Sequence, residues 1–315
     1  MSEGDRLLQK SISVNSTKTY ATALKAFYNF CSQYSIASAL PVSVENLILF
    51  ISHLSLSGYS SETISTYVSG IGYHHKMNHY HDPTNRFVIR KMLEGSKRDN
   101  PTKDKRLPIT SNILEQIIAS LTSVCTNKYE TALFTAAFSL AYFGLLRVSE
   151  VAVDSKKSDK WDLDRTLLYN DLLSVNTQNC EIRLKVTKTN QTGPPTVLQI
   201  PAVPNSVLCP VSALNAYISV RTQAAGPLFI HYDKSPLTRY QFTSVLRMAL
   251  KHANIPNWQL YTSHSMRIGC ASVAADHPDI SDDIIKHIGR WSVKSKAYKR
   301  YIRIPACKLV TSLTC

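Results

Sequence analysis

A mainly helical chain in two parts, the second carrying a small antiparallel sheet, is the fold class this 315-residue sequence predicts. Three observations lead there. Apolar residues recur at helical spacing over most of the chain, a charged and proline-broken segment interrupts them near residue 100, and a short period-2 stretch follows in the second half. The length suggests about two domains. With 44% apolar and 18% charged residues the chain can bury enough surface to offset its ordering entropy, which excludes wholesale disorder.

The first part reads as short helices over roughly residues 16 to 95. After Ser16, a candidate N-cap, Tyr20, Leu24, Phe27, Tyr28 and Cys31 fall on one helical face. A second helix after Ser43 carries Val44, Leu47, Ile48, Ile51 and Leu54 and ends near Gly58, and a third carries Ile64, Tyr67, Val68 and Ile71. The expected division is a helical domain 1–96, a basic linker 97–106 and a larger domain 107–315. The linker, Lys97 to Arg106, is broken by Pro101 and reads as a solvated loop, a strap on DNA phosphates or a nuclear-import signal.

In the second part Ile113, Leu114, Ile117, Ile118 and Leu121 mark an amphipathic helix, and Thr131 to Phe143 is apolar nearly all round, the mark of a buried helix. Ile182, Leu184 and Val186 then alternate with Arg183, Lys185 and Thr187, as in a half-buried strand. The turn-rich Asn190–Pro195 joins it to Val197–Ile200 as a hairpin, and a preceding strand around Leu167 to Val175 completes a small three-stranded sheet. Helical spacing returns after Pro210.

Lys and Arg outnumber Asp and Glu by 36 to 22, a formal charge of +14 that attracts phosphate polyanions, so nucleic acid is the first partner expected. Seven scattered cysteines without a CxxC pair suit reduced thiols better than a disulfide framework or a zinc site. MSEGDRLLQK lacks the order of a signal peptide, and the uncharged run Thr131 to Leu146, sixteen residues, does not comfortably span a bilayer, so no membrane association is expected. The ten glycines form neither GxGxxG nor GxxxxGK[ST], which removes the usual support for a nucleotide-binding fold.

Four stretches put a charged or nucleophilic residue beside core sequence. In Gly144-Leu145-Leu146-Arg147-Val148-Ser149-Glu150 a guanidinium follows the apolar helix, which is costly unless it is paired, and Glu150 is the nearest partner. Lys188, with Thr189 and Asn190, lies at the hairpin tip, where a lysine is ordinarily surface. In Ser263-His264-Ser265-Met266-Arg267-Ile268-Gly269-Cys270 the i,i+3 spacing puts His264 and Arg267 on one helix face. Ile288-Gly289-Arg290-Trp291-Ser292, followed by Ala297-Tyr298-Lys299-Arg300-Tyr301-Ile302-Arg303, is aromatic and basic; by itself it reads as a basic helix with tyrosines on the core.

Taken in order, these stretches resemble the tyrosine recombinases, the phage-integrase family, and most closely the recombinases of eukaryotic DIRS-like and Crypton-like mobile elements. The motif resemblance spans residues 130 to 303. It implies the tyrosine recombinase fold, with an N-terminal helical DNA-binding domain and a mostly helical catalytic domain holding a small antiparallel sheet. It implies a site-specific recombinase or integrase that cleaves and rejoins double-stranded DNA through a 3′-phosphotyrosyl intermediate. Arg147, Lys188, His264, Arg267, Trp291 and Tyr301 are the implied catalytic residues, with Glu150 orienting Arg147. A type IB topoisomerase and a domesticated, catalytically silent DNA-binding protein are the alternatives.

The chemistry is consistent with those residue types. A phosphodiester gains negative charge in the transition state, and two planar guanidiniums can clamp its non-bridging oxygens. A tyrosine, with an ordinary pKa of about 10, needs its proton removed, which gives His264 a task; Lys188 can protonate the leaving 5′ oxygen. Neither ATP, metal nor other cofactor is implied. The family places a second histidine or a tryptophan slightly nearer the nucleophile than Trp291, ten residues ahead of Tyr301, or Arg290, eleven ahead; Trp291 is the assignment, with Arg290 and His287 open. Tyr301 is preferred over Tyr298 because it begins the Tyr-Ile-Arg triplet of those recombinases and is flanked by Arg300 and Arg303. Lys97, Arg98, Lys103, Lys105, Arg106, Arg290, Arg300 and Arg303 are the expected DNA contacts. A homo-tetramer on DNA follows from the resemblance, with the residues after Tyr301, including Leu309, Val310 and Leu313, as the coupling segment. The expected location is the nucleus in a eukaryote and otherwise the cytoplasm.

Log affinity for duplex DNA is expected to fall steeply and linearly with log salt, because phosphate contacts release counterions. Replacing Lys103, Lys105 and Arg106 by Ala should flatten the slope if the linker is a strap. Binding titrations over a salt series check both, and a flat wild-type response contradicts the phosphate-dominated reading.

Overall fold

Hydroxyl caps start three helices of the N-terminal part. Ser13, Ser43 and Ser60 sit in extended backbone, and each side chain accepts the amide three residues on, at 3.2, 3.1 and 3.2 Å. The computed structural model describes residues 3–36, 40–101 and 104–303. The chain divides into two compact units, Met1–Asp104 and Lys105–Cys315.

The first unit contains α1 (Glu3–Lys10), α2 (Val14–Gln33), α3 (Val44–Leu56), α4 (Ser61–Met77) and α5 (Phe87–Asp99). Its core joins Phe27 and Phe30 of α2 to Leu47, Phe50, Ile51 and Leu54 of α3, Ile64, Val68 and Ile71 of α4, and Ile89 of α5. Phe27 and Phe50 meet edge to face, with centroids 5.2 Å apart. Two expectations change here. Ser16 is the third residue of α2 rather than its cap, because Ser13 already accepts the Ser16 amide, and Tyr28 lies exposed while Phe30 is buried. The expected linker is helical at its start: Lys97 and Arg98 form the exposed last turn of α5.

The second unit packs α6 (Ser111–Val124), α7 (Lys128–Phe143), the single turn α8 (Val148–Val151), α9 (Pro210–Val220), α10 (Arg239–His252), α11 (Ser263–Asp276) and α12 (Asp282–Ile288) with one sheet. The strands β1 (Leu172–Val175), β2 (Asn179–Leu184) and β3 (Thr196–Pro201) are antiparallel in the order β1-β2-β3. Cys180, Ile182 and Leu184 of β2 are buried in alternation, the period-2 pattern read in the sequence. The first strand is shorter than expected: Leu167 is a core residue outside it, and Tyr169–Asp171 forms a 3-10 turn. α7, buried almost all round, is the centre of the main core, in contact with α9, α6 and α11. Among the described residues no helix is long and apolar enough to cross a membrane.

One close approach fixes α11. The Ile109 amide donates to the Ser265 carbonyl at 3.0 Å, and a Cβ on Gly269 would lie 1.7 Å from the Ile109 carbonyl oxygen. Gly269→Ala is therefore expected to destabilise the second unit by about 1–3 kcal/mol through overpacking, measured by urea denaturation; an unchanged midpoint would show that the segment at Ile109 yields freely.

Candidate active site

α7 ends at Gly144, and the chain turns through Leu145 in left-handed backbone (φ 44°) before Arg147 caps α8. That turn brings Arg147 and Glu150 to the mouth of the core. The Arg147 amide donates to Glu150 Oε2 at 2.8 Å and its Nη1 to Oε1 at 3.0 Å, so both carboxylate oxygens accept from Arg147 within one turn. Glu150 is buried, whereas Arg147 keeps 15% of its side chain exposed.

α11 brings Arg267 to the same place. It is buried, and its Nη1 and Nη2 donate to the carbonyls of Leu145 and Gly289. Its guanidinium carbon lies 4.2 Å from the Trp291 ring centroid and 5.4 Å from that of Tyr301, while its Nε is buried without a partner. Burial, then the charges of Arg147 and Arg290, lowers its pKa from the ordinary guanidinium value, with Glu150 and Tyr301 opposing.

The segment after α12 supplies the aromatic wall. A Cβ on Gly289 would fall 1.7 Å from Trp291, so the missing side chain is the space the indole occupies. Trp291 packs with Leu145, Ala271, Ile285 and Tyr298 in a small second core, against which Tyr301 is partly buried. The residues Ala297–Tyr301 form a 3-10 helix rather than the α-helix expected. Ser272 of α11 ties its end, donating to the Tyr301 carbonyl at 3.2 Å and accepting the Arg303 amide at 2.9 Å. Tyr298 and Tyr301 differ in environment. The Tyr298 hydroxyl donates to Asp282, and that bond, with burial and the charges of Asp282 and Asp283, pushes its pKa up to about 12. The Tyr301 hydroxyl makes no hydrogen bond among the described residues.

Arg290 is not where a DNA contact was expected. It is 8% exposed, in left-handed backbone (φ 53°), and its guanidinium points inward. Nη1 donates to Gly144 O at 3.0 Å, and Nη2 donates to Leu145 O and to Glu150 Oε2, each at 2.9 Å. Burial lowers its pKa, and Glu150 opposes. Its carbonyl accepts the Thr189 hydroxyl at 2.8 Å, which fastens the β2–β3 loop to this segment one residue from the exposed Lys188.

Arg147, Glu150, Arg267, Trp291 and Tyr301 thus converge from α7's end, α11 and the C-terminal turn. His264 is partly buried on the first turn of α11, one turn ahead of Arg267, and His287 is exposed on α12. Lys97, Arg98, Lys105 and Arg300 are exposed, and Arg106 and Arg303 partly buried. Lys103, Leu309, Val310 and Leu313 lie outside the described residues. The sequence reading missed Ser272 and Asp282, since a lone serine or aspartate on a helix carries no signal of a partner so distant in the chain. Among the described residues no group of His, Cys, Asp or Glu side chains is placed to hold a metal ion.

Residues 5–77 match the model of the phage integrase N-terminal SAM-like domain. A lambda integrase dimer bound to a COC′ core site superposes with a TM-score of 0.62 at 15% identity, covering 95% of this chain and 74% of that one. The fold is the tyrosine recombinase fold. The Tn1549 transposon integrase in complex with transposon right end DNA gives 0.60 at 16% identity, covering 96% and 93%. The XerH site-specific recombinase in a post-cleavage complex with a palindromic difH substrate gives 0.61 at 13%, covering 94% and 78%. No curated protein sequence matches the chain.

Glu150 is the carboxylate on which Arg147 and Arg290 both depend, so Glu150→Gln would leave two largely buried cations uncompensated. It is expected to cost the second unit about 3–5 kcal/mol. Chemical denaturation checks this, and a loss below about 1 kcal/mol would mean that the backbone carbonyls suffice.

Proposed function

We propose that this chain is a tyrosine recombinase that cleaves and rejoins double-stranded DNA. The observation that carries the reading is the Arg267 guanidinium: buried, without a carboxylate partner among the described residues, with its Nε unpaired, and within 5.4 Å of the Tyr301 ring centroid. A buried cation so arranged is matched to an anion, and a tyrosine beside it is matched to attack that anion. The order of the motifs, the domain match at residues 5–77 and the fold shared with DNA-bound recombinases support the same conclusion.

In the proposed reaction the Tyr301 hydroxyl attacks the scissile phosphorus. Its proton passes to His264, the new P–O bond forms as the bond to the 5′ oxygen breaks, and Lys188 protonates that leaving oxygen. Arg147 and Arg267 hold the non-bridging oxygens, and Trp291 packs against Arg267 to keep its plane fixed. The phosphotyrosyl ester conserves the bond, so a 5′ hydroxyl from another strand can reverse the step. By the motif resemblance, the DNA is that of a eukaryotic mobile element, handled in the nucleus by a tetramer of protomers. Lys97, Arg98, Lys103, Lys105, Arg106, Arg300 and Arg303 serve as phosphate contacts in this reading.

On a nicked suicide substrate, Tyr301→Phe should bind DNA but form no covalent adduct, and Tyr298→Phe should still form one. Arg147→Ala and Arg267→Ala should each slow cleavage by at least about 100-fold, as loss of one transition-state donor does. Gel-resolved adducts and mass spectrometry of the modified tyrosine check these outcomes. An adduct on Tyr298 would overturn the nucleophile, binding without any adduct would favour the silent DNA-binding protein, and relaxation of supercoils without strand exchange would favour the topoisomerase.

A further inference from the structure

We infer that Arg290 is a positioning residue that acts through Glu150 to keep Arg147 free for the substrate anion, and that it does not itself touch DNA. The inference rests on the recombinase reading above.

One carboxylate is shared between two arginines. Glu150 Oε2 accepts the Arg147 amide at 2.8 Å and Arg290 Nη2 at 2.9 Å, while Oε1 takes Arg147 Nη1 at 3.0 Å. A lone arginine and carboxylate tend to close as a two-pronged pair, which would occupy the edge of Arg147 that an anion needs. With Arg290 on Oε2, Arg147 engages through one Nη, and its Nε and other Nη make no hydrogen bond among the described residues. The remaining donors of a partly exposed guanidinium are those an incoming phosphate can use.

Arg290 is fixed well enough to do this. Its fork is anchored on Gly144 O at 3.0 Å and Leu145 O at 2.9 Å, the turn from which Arg147 emerges. Left-handed backbone at a non-glycine residue is uncommon, and here it is what turns the side chain inward from the end of α12. A lysine cannot span two carbonyls and a carboxylate in one plane, so the fork itself is required.

The test is a double-variant cycle on cleavage of duplex DNA by the full chain. Arg290→Gln should slow cleavage at least about 10-fold, and adding it to Arg147→Gln should slow it less than about 3-fold further, because its effect passes through Arg147. Arg290→Lys should recover only part of the wild-type rate. The salt slope of DNA binding should stay unchanged in Arg290→Gln, whereas loss of a phosphate contact would lower it by about 1. Independent, multiplying losses in the double variant, or a flattened slope, would overturn the inference. If Arg290→Gln does not fold, Arg290→Lys carries the same cycle. If the wild type forms no adduct with any DNA, the recombinase reading falls and the cycle is read on thermal unfolding instead: non-additive midpoint shifts for Arg147→Gln and Arg290→Gln support the shared carboxylate, and additive shifts overturn it.

Discussion

The second unit is organised around an unbalanced charge. Arg147 and Arg290 share one buried carboxylate, Glu150, while the neighbouring Arg267 has only backbone carbonyls as hydrogen-bond partners among the described residues. Removing a guanidinium from water costs several kcal/mol even after relaxation. Stability alone would favour apolar residues at such a place. The lowered pKa directions of Arg267 and Arg290 record the same cost, since burial is the largest cause in both. In the proposed reaction an added anion would relieve it, and a phosphodiester passing through a more negative transition state would relieve it most.

The carbonyls that partly compensate these charges come from the turn after α7 and from the end of α12. Leu145, in left-handed backbone, presents its oxygen to both Arg267 and Arg290, and Gly144 and Gly289 supply the others. Peptide dipoles stabilise a cation without neutralising it, so the site stays positive. They also tie its parts together: the end of α7, α11, the turn after α12 and, through Thr189, the loop that bears Lys188. A shift of the 144–147 turn would therefore act directly on Arg147, Arg267 and Arg290 and, through the Thr189 bond, on the loop that bears Lys188.

Much of this was legible in the sequence, for reasons that also mark the limits. The helical faces of α3, α4 and α6, the alternation in β2 and the Arg, Lys, His-x-x-Arg and Tyr stretches are local patterns, and local patterns survive without tertiary knowledge. The inward course of Arg290 does not. The stretch Ile288–Ser292 reads as aromatic and basic, with Arg290 among the DNA contacts, whereas the acceptors of Arg290 lie as far as 146 residues away and its direction depends on a backbone angle no composition reveals. The linker was misread at its start for a different reason. Lys97 and Arg98 are good helix formers, and their charge suggested a loop while their propensity continued α5.

The two C-terminal tyrosines illustrate how depth, rather than direction, distinguishes chemistry. In a 3-10 helix residues three apart eclipse, so Tyr298 and Tyr301 share a face of Ala297–Tyr301. Tyr298 is 2% exposed, with its hydroxyl committed to Asp282, and the two nearby aspartates oppose any phenolate there. Tyr301 is partly buried, its ring 5.1 Å from that of Trp291 and beneath the same guanidinium that would receive a phosphate. An attack from Tyr298 would have to break a hydrogen bond to a carboxylate and create a third negative charge beside two. From Tyr301 it would begin next to Arg267, where the charge that moves from oxygen to phosphate remains close to a fixed cation throughout.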